Sequence, residues 1–175
     1  MGYAGGAKPS PTYHDLGDHT EAIEVDYDPA RTSYERLLAV FWEDHQPLRP
    51  AYKRQYRSAI FFVGAEQRAL AEASKQVGEA SVGQRVFVDI EPLARFWRAE
   101  DYHQKYALRR HRELLDELPG GDAQTFTDST VAARLNAYAY GYGTPADLAA
   151  DLPSLGLSPR GARYLERLVG QSTHG

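Results

Sequence analysis

Hydrophobic side chains recur with two different periods in the first half of the chain. Over residues 21–28 apolar and acidic side chains alternate, which predicts a half-buried strand. Over residues 33–45 apolar side chains recur at i, i+3, i+4 and i+7, which predicts an amphipathic helix. Residues 59–63 form a continuous apolar run and predict a strand buried on both faces. Residues 66–77 predict a second helix and residues 86–91 a further strand.

The second half of the chain has mainly helical patterns. Residues 98–118 predict one long helix, which a Pro-Gly-Gly sequence ends. Residues 131–140 predict another helix. A Thr-Pro and a Ser-Pro pair predict short helices over 145–151 and 159–169, because proline suits the first helical position after a capping hydroxyl. The first 17 residues are rich in Gly, Pro, Ser and Tyr and predict a loop.

This order of elements predicts an α+β fold. Strands and helices alternate at first and only helices follow, which favours a two-layer sandwich with a helical C-terminal tail. We expect residues 1–118 to form one domain and residues 119–175 to form a helical extension packed on the same domain.

Composition narrows the class of protein. The 175 residues carry 20 basic and 24 acidic side chains, a net charge of −4, which argues against a general binder of nucleic acid or anionic membrane. No apolar run approaches the ~20 residues that cross a bilayer. The first residues lack the basic stretch and apolar core of a signal peptide, so we expect a cytoplasmic location. The sequence contains no cysteine, so this chain alone can perform no thiol chemistry.

Short sequence segments in a fixed order carry the functional signal. They are Gly2-Tyr3-Ala4-Gly5-Gly6, Pro11-Thr12-Tyr13, His19-Thr20-Glu21-Ala22, Tyr27-Asp28-Pro29, Phe41-Trp42, Gln55-Tyr56-Arg57-Ser58-Ala59-Ile60-Phe61 and Ala99-Glu100-Asp101-Tyr102-His103-Gln104. In this order and spacing they resemble methionine sulfoxide reductase A, the peptide-methionine (S)-S-oxide reductase family, over roughly residues 2–106. The resemblance implies an α+β core with a small mixed sheet, ferredoxin-like, and an oxidoreductase that repairs proteins after oxidative stress.

The resemblance also implies the chemistry. In that family a cysteine thiolate attacks the sulfoxide sulfur and becomes a sulfenic acid, which a second thiol or thioredoxin returns to the thiol. On the other side, a protonated glutamic acid and two tyrosine hydroxyls bind the sulfoxide oxygen. The implied partners are methionine sulfoxide, free or in proteins, and an external reductant such as thioredoxin. No bound cofactor is implied, and we expect a monomer that binds neither nucleic acid nor membrane.

Three residues match the oxygen-binding side of that site. By motif position Glu21 matches the proton donor, and Tyr13 and Tyr56 match the two tyrosines. Two of them have a structural alternative, since Glu21 would also suit a solvated strand start and Tyr13 would also pack on the core through its ring. The surrounding motifs favour the functional interpretation.

The nucleophile is expected to be missing from this chain. In the family the cysteine lies in a Gly-Cys-Phe-Trp segment upstream of Gly-Tyr-Ala-Gly-Gly, and Met1 is the only residue before that sequence here. We expect a truncated form without reductase activity, whose reading frame extends upstream and encodes the cysteine. Loss of a core strand and helix would also make the chain poorly stable or aggregating. The alternative is a non-catalytic protein that binds methionine sulfoxide or peptides.

Departures from the family pattern change the rim of the predicted site. The loop at residues 14–18 is shorter than usual, and residues 49–54 are basic where the family carries an acidic residue, which predicts an altered substrate range. His103 is expected in mid-helix with a structural role.

Two further hypotheses carry less weight. A metal cluster would need a fourth ligand at zinc-like spacing, which the sequence lacks. Its candidate ligands are His14, Asp18, His19 and Glu21. Residues 155–161 weakly resemble a helix-hairpin-helix DNA contact but have no second hairpin.

Overall fold

A computed structural model describes residues 1–45 and 47–172, and the chain divides into two compact units. The first unit is Met1–Glu100 and the second is Asp101–Gly175. The first contains strands and helices and the second only helices among its described residues, so the predicted α+β class is confirmed. The division into domains after residue 118 stays a prediction. No helix in the described part of the chain is long and apolar enough to cross a bilayer.

Among the described residues of the first unit, five short strands form two sheets. One sheet is antiparallel, with β1 between β2 and β5, and the other is a parallel pair of β3 and β4. Antiparallel and parallel pairings therefore both occur, but in separate sheets. The strands are β1 Gly2–Ala4, β2 Thr20–Ala22, β3 Ser58–Phe62, β4 Val88–Pro92 and β5 Trp97–Arg98.

Two helices cover the parallel pair. Helix α1, Tyr34–Asp44, begins where the Ser33 hydroxyl accepts from the Arg36 amide. Helix α2, Gly64–Val82, ends at a glycine in the left-handed conformation, which favours glycine because a Cβ is strained there. Helix α2 also connects β3 to β4, the crossover that a parallel pair requires. The buried side chains between these elements are Leu38, Trp42, Ile60, Ala71, Val86 and Val88.

The predicted strand over residues 21–28 is too long. Strand β2 ends at Ala22 because β1 offers partners only to residues 20–22. Beyond that point Ile23 and Val25 are 69% and 52% exposed. Alternation shows which side chains share a face, but it does not show where the neighbouring strand stops.

Three other predictions need correction. The predicted loop over the first 17 residues contains β1, the central strand of its sheet. The predicted burial of β3 on both faces is wrong, since only Ile60 in that strand is fully buried. The predicted helix over 98–118 is broken into short turns of 3-10 helix and the single turn α3, Arg112–Leu115. Lys105 interrupts it with a φ of 51°, a value outside the helical range.

Four further helices build the second unit. The predicted helix over 145–151 is confirmed, because Thr144 and Asp147 form a reciprocal capping box in front of it. The predictions over 131–140 and 159–169 also match helices, the second of which runs further. Helix α4 was not expected. The helices are α4 Ala123–Asp128, α5 Thr130–Ala139, α6 Pro145–Asp151 and α7 Pro159–Ser172.

A leucine-rich core lies between these helices. Leu108, Leu114, Leu135 and Leu165 are fully buried there. Helix α7 begins against Glu117, whose carboxylate accepts from the Ser158 amide at 2.6 Å and from its hydroxyl at 2.6 Å. These hydrogen bonds satisfy a donor at the start of the helix and lower the pKa of Glu117.

Truncation of Leu165 tests this core. Leu165→Ala leaves a cavity beside α7, so we expect the free energy of unfolding to fall by about 2–5 kcal/mol. Glu166→Ala, at an exposed position of the same helix, is the control and should change it by less than about 0.5 kcal/mol. Urea denaturation followed by circular dichroism measures both variants, and equal effects would contradict the packing described.

Candidate active site

The loop after β1 is attached to the chain before β2 through His19. The Gly6 amide donates to His19 Nδ1 at 3.2 Å, and His19 Nε2 lies 2.7 Å from the Lys8 carbonyl oxygen. Because an amide can only donate and a carbonyl can only accept, the ring is the neutral form with its proton on Nε2. His19 is 1% exposed. Its two nitrogens are therefore occupied by the backbone and fix the loop.

Asp18 makes the second attachment of the same loop. Its carboxylate accepts from the Ala7 amide, at 2.9 Å to each oxygen, and from the Lys8 amide at 3.2 Å. These backbone hydrogen bonds lower the pKa of Asp18. Gly6 leaves room for them, because a Cβ there would lie 2.6 Å from Asp18 Oδ1 and 2.7 Å from the His19 ring. The glycine motif and the Asp-His sequence thus depend on each other.

Arg54 attaches a third segment, the 3-10 helix Arg54–Tyr56, to the loop after β1 and to the chain before β2. Its Nε donates to the Asp18 carbonyl oxygen at 2.8 Å and its Nη2 to the Gly5 carbonyl oxygen at 3.0 Å. In return the Thr20 hydroxyl donates to the Arg54 carbonyl oxygen at 3.2 Å. The short 3-10 helix Arg54–Tyr56 is thereby fixed beside β2.

Arg57 joins the two sheets of the first unit. Its Nε donates to the Thr20 hydroxyl at 2.8 Å on β2. Its two terminal nitrogens donate to the Glu91 carboxylate on β4 at 2.5 and 2.7 Å, and one also donates to Asp89 at 2.8 Å. The pair is bidentate, the geometry in which Arg binds carboxylate most strongly. The Arg57 hydrogen bonds lower the pKa of Glu91, and the Arg57 side chain is only 10% exposed.

Glu21 and Tyr56, two of the three residues predicted from the motifs, lie on this frame. Glu21 follows Thr20 on β2, and its Oε1 accepts from Gln55 Nε2 at 2.6 Å. Tyr56 is 45% exposed, and its ring centroid is 5.6 Å from that of Tyr52. Partial burial raises the pKa of Tyr56, and the electrostatic influence of Tyr13, Tyr52 and Glu21 raises it further. Tyr13 and Glu21 are therefore both near enough to Tyr56 to influence its pKa.

Glu100 fixes the position of Tyr13. Its Oε2 accepts from the hydroxyl of Tyr3, which is 2% exposed, at 2.7 Å, and its Oε1 accepts from the Tyr13 amide at 2.9 Å. Sequence reasoning missed this residue and Arg57. Both stand inside the motifs named in the sequence analysis, and that position was the available signal.

The two minor hypotheses gain no support from the structure. Among residues 1–45 and 47–172, no three or more His, Cys, Asp or Glu side chains are grouped so that they could hold a metal ion. His14 instead packs edge-on against Tyr13, with ring centroids 5.4 Å apart. At the start of α7, where a DNA phosphate contact was considered, the Ser158 amide is already bound to Glu117.

Comparison with known proteins identifies the family. A family model described as peptide methionine sulfoxide reductase matches residues 1–131. The chain belongs to this family of oxidoreductases, which confirms the resemblance found in the motifs.

Individual relatives agree with this assignment. A peptide methionine sulfoxide reductase from Drosophila melanogaster is 39% identical over 174 residues, covering 98% of this chain and 70% of the relative. Peptide methionine sulfoxide reductase A5 from Oryza sativa subsp. japonica is 41% identical over 145 residues, covering 79% of this chain and 57% of the relative. The crystal structure of Mxr1 from Saccharomyces cerevisiae in reduced form is 27% identical, with a TM-score of 0.57 over 71% of this chain and 73% of that one. The chain spans 56% to 74% of the length of its curated relatives.

The Arg57–Glu91 pair predicts a pH dependence of stability. Since the pKa of Glu91 is lowered from 4.5 in the folded chain, the pair stabilises the fold above that pH and ceases to do so as the pH falls through the folded pKa. The stability difference between the parent chain and Glu91→Gln should therefore be largest near about pH 6 and shrink towards about pH 3. Glu24→Gln, at an exposed position, controls for the change in net charge. Thermal denaturation across pH measures both, and a difference independent of pH would contradict the pairing.

Gly6 provides a test of the loop attachment. In Gly6→Ala the added methyl group pushes Asp18 and His19 away from residue 6. We therefore expect the free energy of unfolding to fall by about 1–3 kcal/mol. Gly120→Ala is the control, because a Cβ there meets nothing within 4 Å. Differential scanning calorimetry measures the stability of the two variants. A Gly6→Ala chain as stable as the parent would contradict the close contact of Gly6 with Asp18 and His19.

Proposed function

We propose that Tyr13, Glu21 and Tyr56 bind the oxygen of methionine sulfoxide, free or in proteins, and that Glu21 supplies a proton to it. One observation carries the proposal. Gln55 engages only one carboxylate oxygen of Glu21, and the described residues offer no hydrogen-bond partner to the other. That oxygen is therefore available to a ligand, and Glu21 is near enough to Tyr56 to influence its pKa.

The tyrosine side chains suit the donor role. Binding a sulfoxide oxygen needs an O–H that stays protonated at neutral pH. The raised pKa of Tyr56 keeps its hydroxyl in that form, and its 45% exposure leaves it accessible to a ligand. Glu100 holds Tyr13 in position by accepting from its backbone amide. Together these contacts support a preorganised oxygen site in which the donors need little rearrangement.

The sulfur side of the reaction needs a thiol that this sequence does not contain. Reduction of the sulfoxide consumes two electrons and two protons and yields a thioether and water, while two thiols become a disulfide. In the family pattern a cysteine thiolate attacks the sulfoxide sulfur, takes up its oxygen and becomes a sulfenic acid, and methionine is released. An external thiol such as thioredoxin then reduces the sulfenic acid to the thiol, with loss of water. With no cysteine in 175 residues, we infer that this chain alone does not turn over.

A non-catalytic binder is the second candidate function. The oxygen-binding side is organised by backbone and side-chain hydrogen bonds within the first unit, while the thiol is absent from the sequence. A protein with these features recognises a sulfoxide without reducing it. As expected from the sequence, we further propose a monomer that acts in the cytoplasm and needs no bound cofactor.

Binding tests the oxygen site. A peptide with one (S)-methionine sulfoxide should bind at least about tenfold more tightly than the same peptide with methionine, because only the sulfoxide accepts these hydrogen bonds. Tyr56→Phe and Glu21→Gln should each reduce this preference, whereas Tyr140→Phe, which alters an exposed tyrosine of the second unit, should not. Isothermal titration calorimetry measures the affinities. Equal affinity for the two peptides would refute the proposal.

Turnover tests the role of the missing thiol. The 175-residue chain with dithiothreitol should form no methionine above a blank without protein. Fusion of a cysteine-bearing segment from another family member should restore activity, and Glu21→Gln in that fusion should lower kcat by about 10²–10⁴-fold, as expected for loss of a general acid. Turnover by the cysteine-free chain would contradict the inference. Full activity of the Glu21→Gln fusion would contradict the assigned proton donor.

A further inference from the structure

A positively charged pocket of about 320 Å³ lies within the first unit. Its walls come from the loop before the 3-10 helix Arg54–Tyr56, from α2 and from the segment that leads into β4. Among the described residues, Asp89 is the only acidic one that lines it. The basic residues in the lining are Lys53, Arg54, Arg57, Lys75 and Arg85.

Much of this charge is not compensated within the protein. Arg57 pairs with Asp89 and Glu91. Lys75 donates one hydrogen bond to the Val88 carbonyl oxygen at 2.7 Å, which leaves two of its three N–H groups for a ligand.

Among the described residues, two of the three exposed cations of the pocket, Lys53 and Arg85, make no ion pair, whereas the third, Arg54, lies 3.9 Å from a Glu91 carboxylate oxygen. The Lys53 ammonium lies 5.9 Å from the centre of the Tyr52 ring, and the Arg85 guanidinium lies 5.2 Å from that of Phe87. The whole chain carries a net charge of −4, so the pocket is positive against the overall charge. Such a concentration of unpaired charge favours an anionic ligand.

We propose that this pocket binds the carboxylate side chains of an acidic peptide, and that the peptide is the one whose methionine sulfoxide reaches Tyr56. The second clause rests on the function proposed above. The cations come from three separate elements, so they match several carboxylates along a chain better than one compact anion. The segment 51–57 supplies pocket residues and also carries Tyr56, which links the two binding sites in one peptide. The preferred substrates therefore carry acidic residues next to the oxidised methionine.

The test is fluorescence anisotropy with labelled peptides and the 175-residue chain. An acidic peptide, rich in Glu and containing one methionine sulfoxide, should bind at least about tenfold more tightly than a Lys-rich peptide of the same length. Its affinity should fall as salt rises, because exposed charges are screened. Lys53→Glu combined with Arg85→Glu should weaken binding about tenfold or more, since the two exposed cations without an ion pair are reversed. Arg36→Glu together with Arg31→Glu is the matched control at exposed positions outside the pocket, and it should have less than about a twofold effect.

Several outcomes separate the alternatives. Equal affinity for acidic and Lys-rich peptides, or equal weakening by the pocket and control variants, would overturn the proposal. If the acidic peptide does not bind but inorganic phosphate binds saturably, the pocket is a site for a free anion. That result would overturn the proposed peptide ligand. If the acidic peptide binds equally well with methionine in place of the sulfoxide, the pocket is supported and the sulfoxide site fails. If an acidic and a neutral sulfoxide peptide bind alike, and each binds more tightly than the same peptide with methionine, the sulfoxide site is supported and the pocket fails.

Discussion

The first unit depends on the contacts of one side chain, Arg57. Its guanidinium binds Thr20 on one sheet and the carboxylates of β4 on the other, with four donated hydrogen bonds of 2.5–2.8 Å. A guanidinium that is only 10% exposed must have its charge and its donors satisfied, and here the acidic face of β4 does both. The position of Thr20 relative to β3 follows from this pair. Because Glu21 is the next residue, the pair also determines where its carboxyl lies.

Further side-chain contacts extend this frame towards the proposed sulfoxide site. Gly6 allows His19 and Asp18 to approach the loop after β1, and Arg54 crosses from that loop to the 3-10 helix that ends at Tyr56. Segments far apart in sequence are thereby joined by side chains that hydrogen-bond to backbone atoms. Few residue types have the donors and acceptors needed for such contacts. The same segment presents Tyr56 to the proposed sulfoxide site and its cations to the proposed peptide pocket. Catalytic orientation and substrate choice would then share one structural element.

Features that depend on neighbouring residues were predictable from the sequence, whereas features that depend on long-range contacts were not. The helix over 145–151 was placed correctly because its cap and its proline lie within a few residues of each other. Residues 21–28 were predicted as strand to their end, although only tertiary pairing decides where a strand stops. The broken helix around Lys105 has the same cause, because intrinsic propensity is a weak guide once packing intervenes. Tyr13 and Glu21 were candidates through their motifs. The contact that orients Tyr13, however, spans 87 positions to Glu100, and no local pattern encodes it.

The central claim is that a sulfoxide oxygen binds among Tyr13, Glu21 and Tyr56 on the frame organised by Arg57. The most direct measurement is a crystal structure of the 175-residue chain with a bound peptide that contains (S)-methionine sulfoxide. The account predicts the sulfoxide oxygen within about 3.2 Å of both tyrosine hydroxyls and of the Glu21 oxygen that Gln55 leaves available. A sulfoxide bound elsewhere, with that oxygen of Glu21 turned to a protein partner, would contradict it.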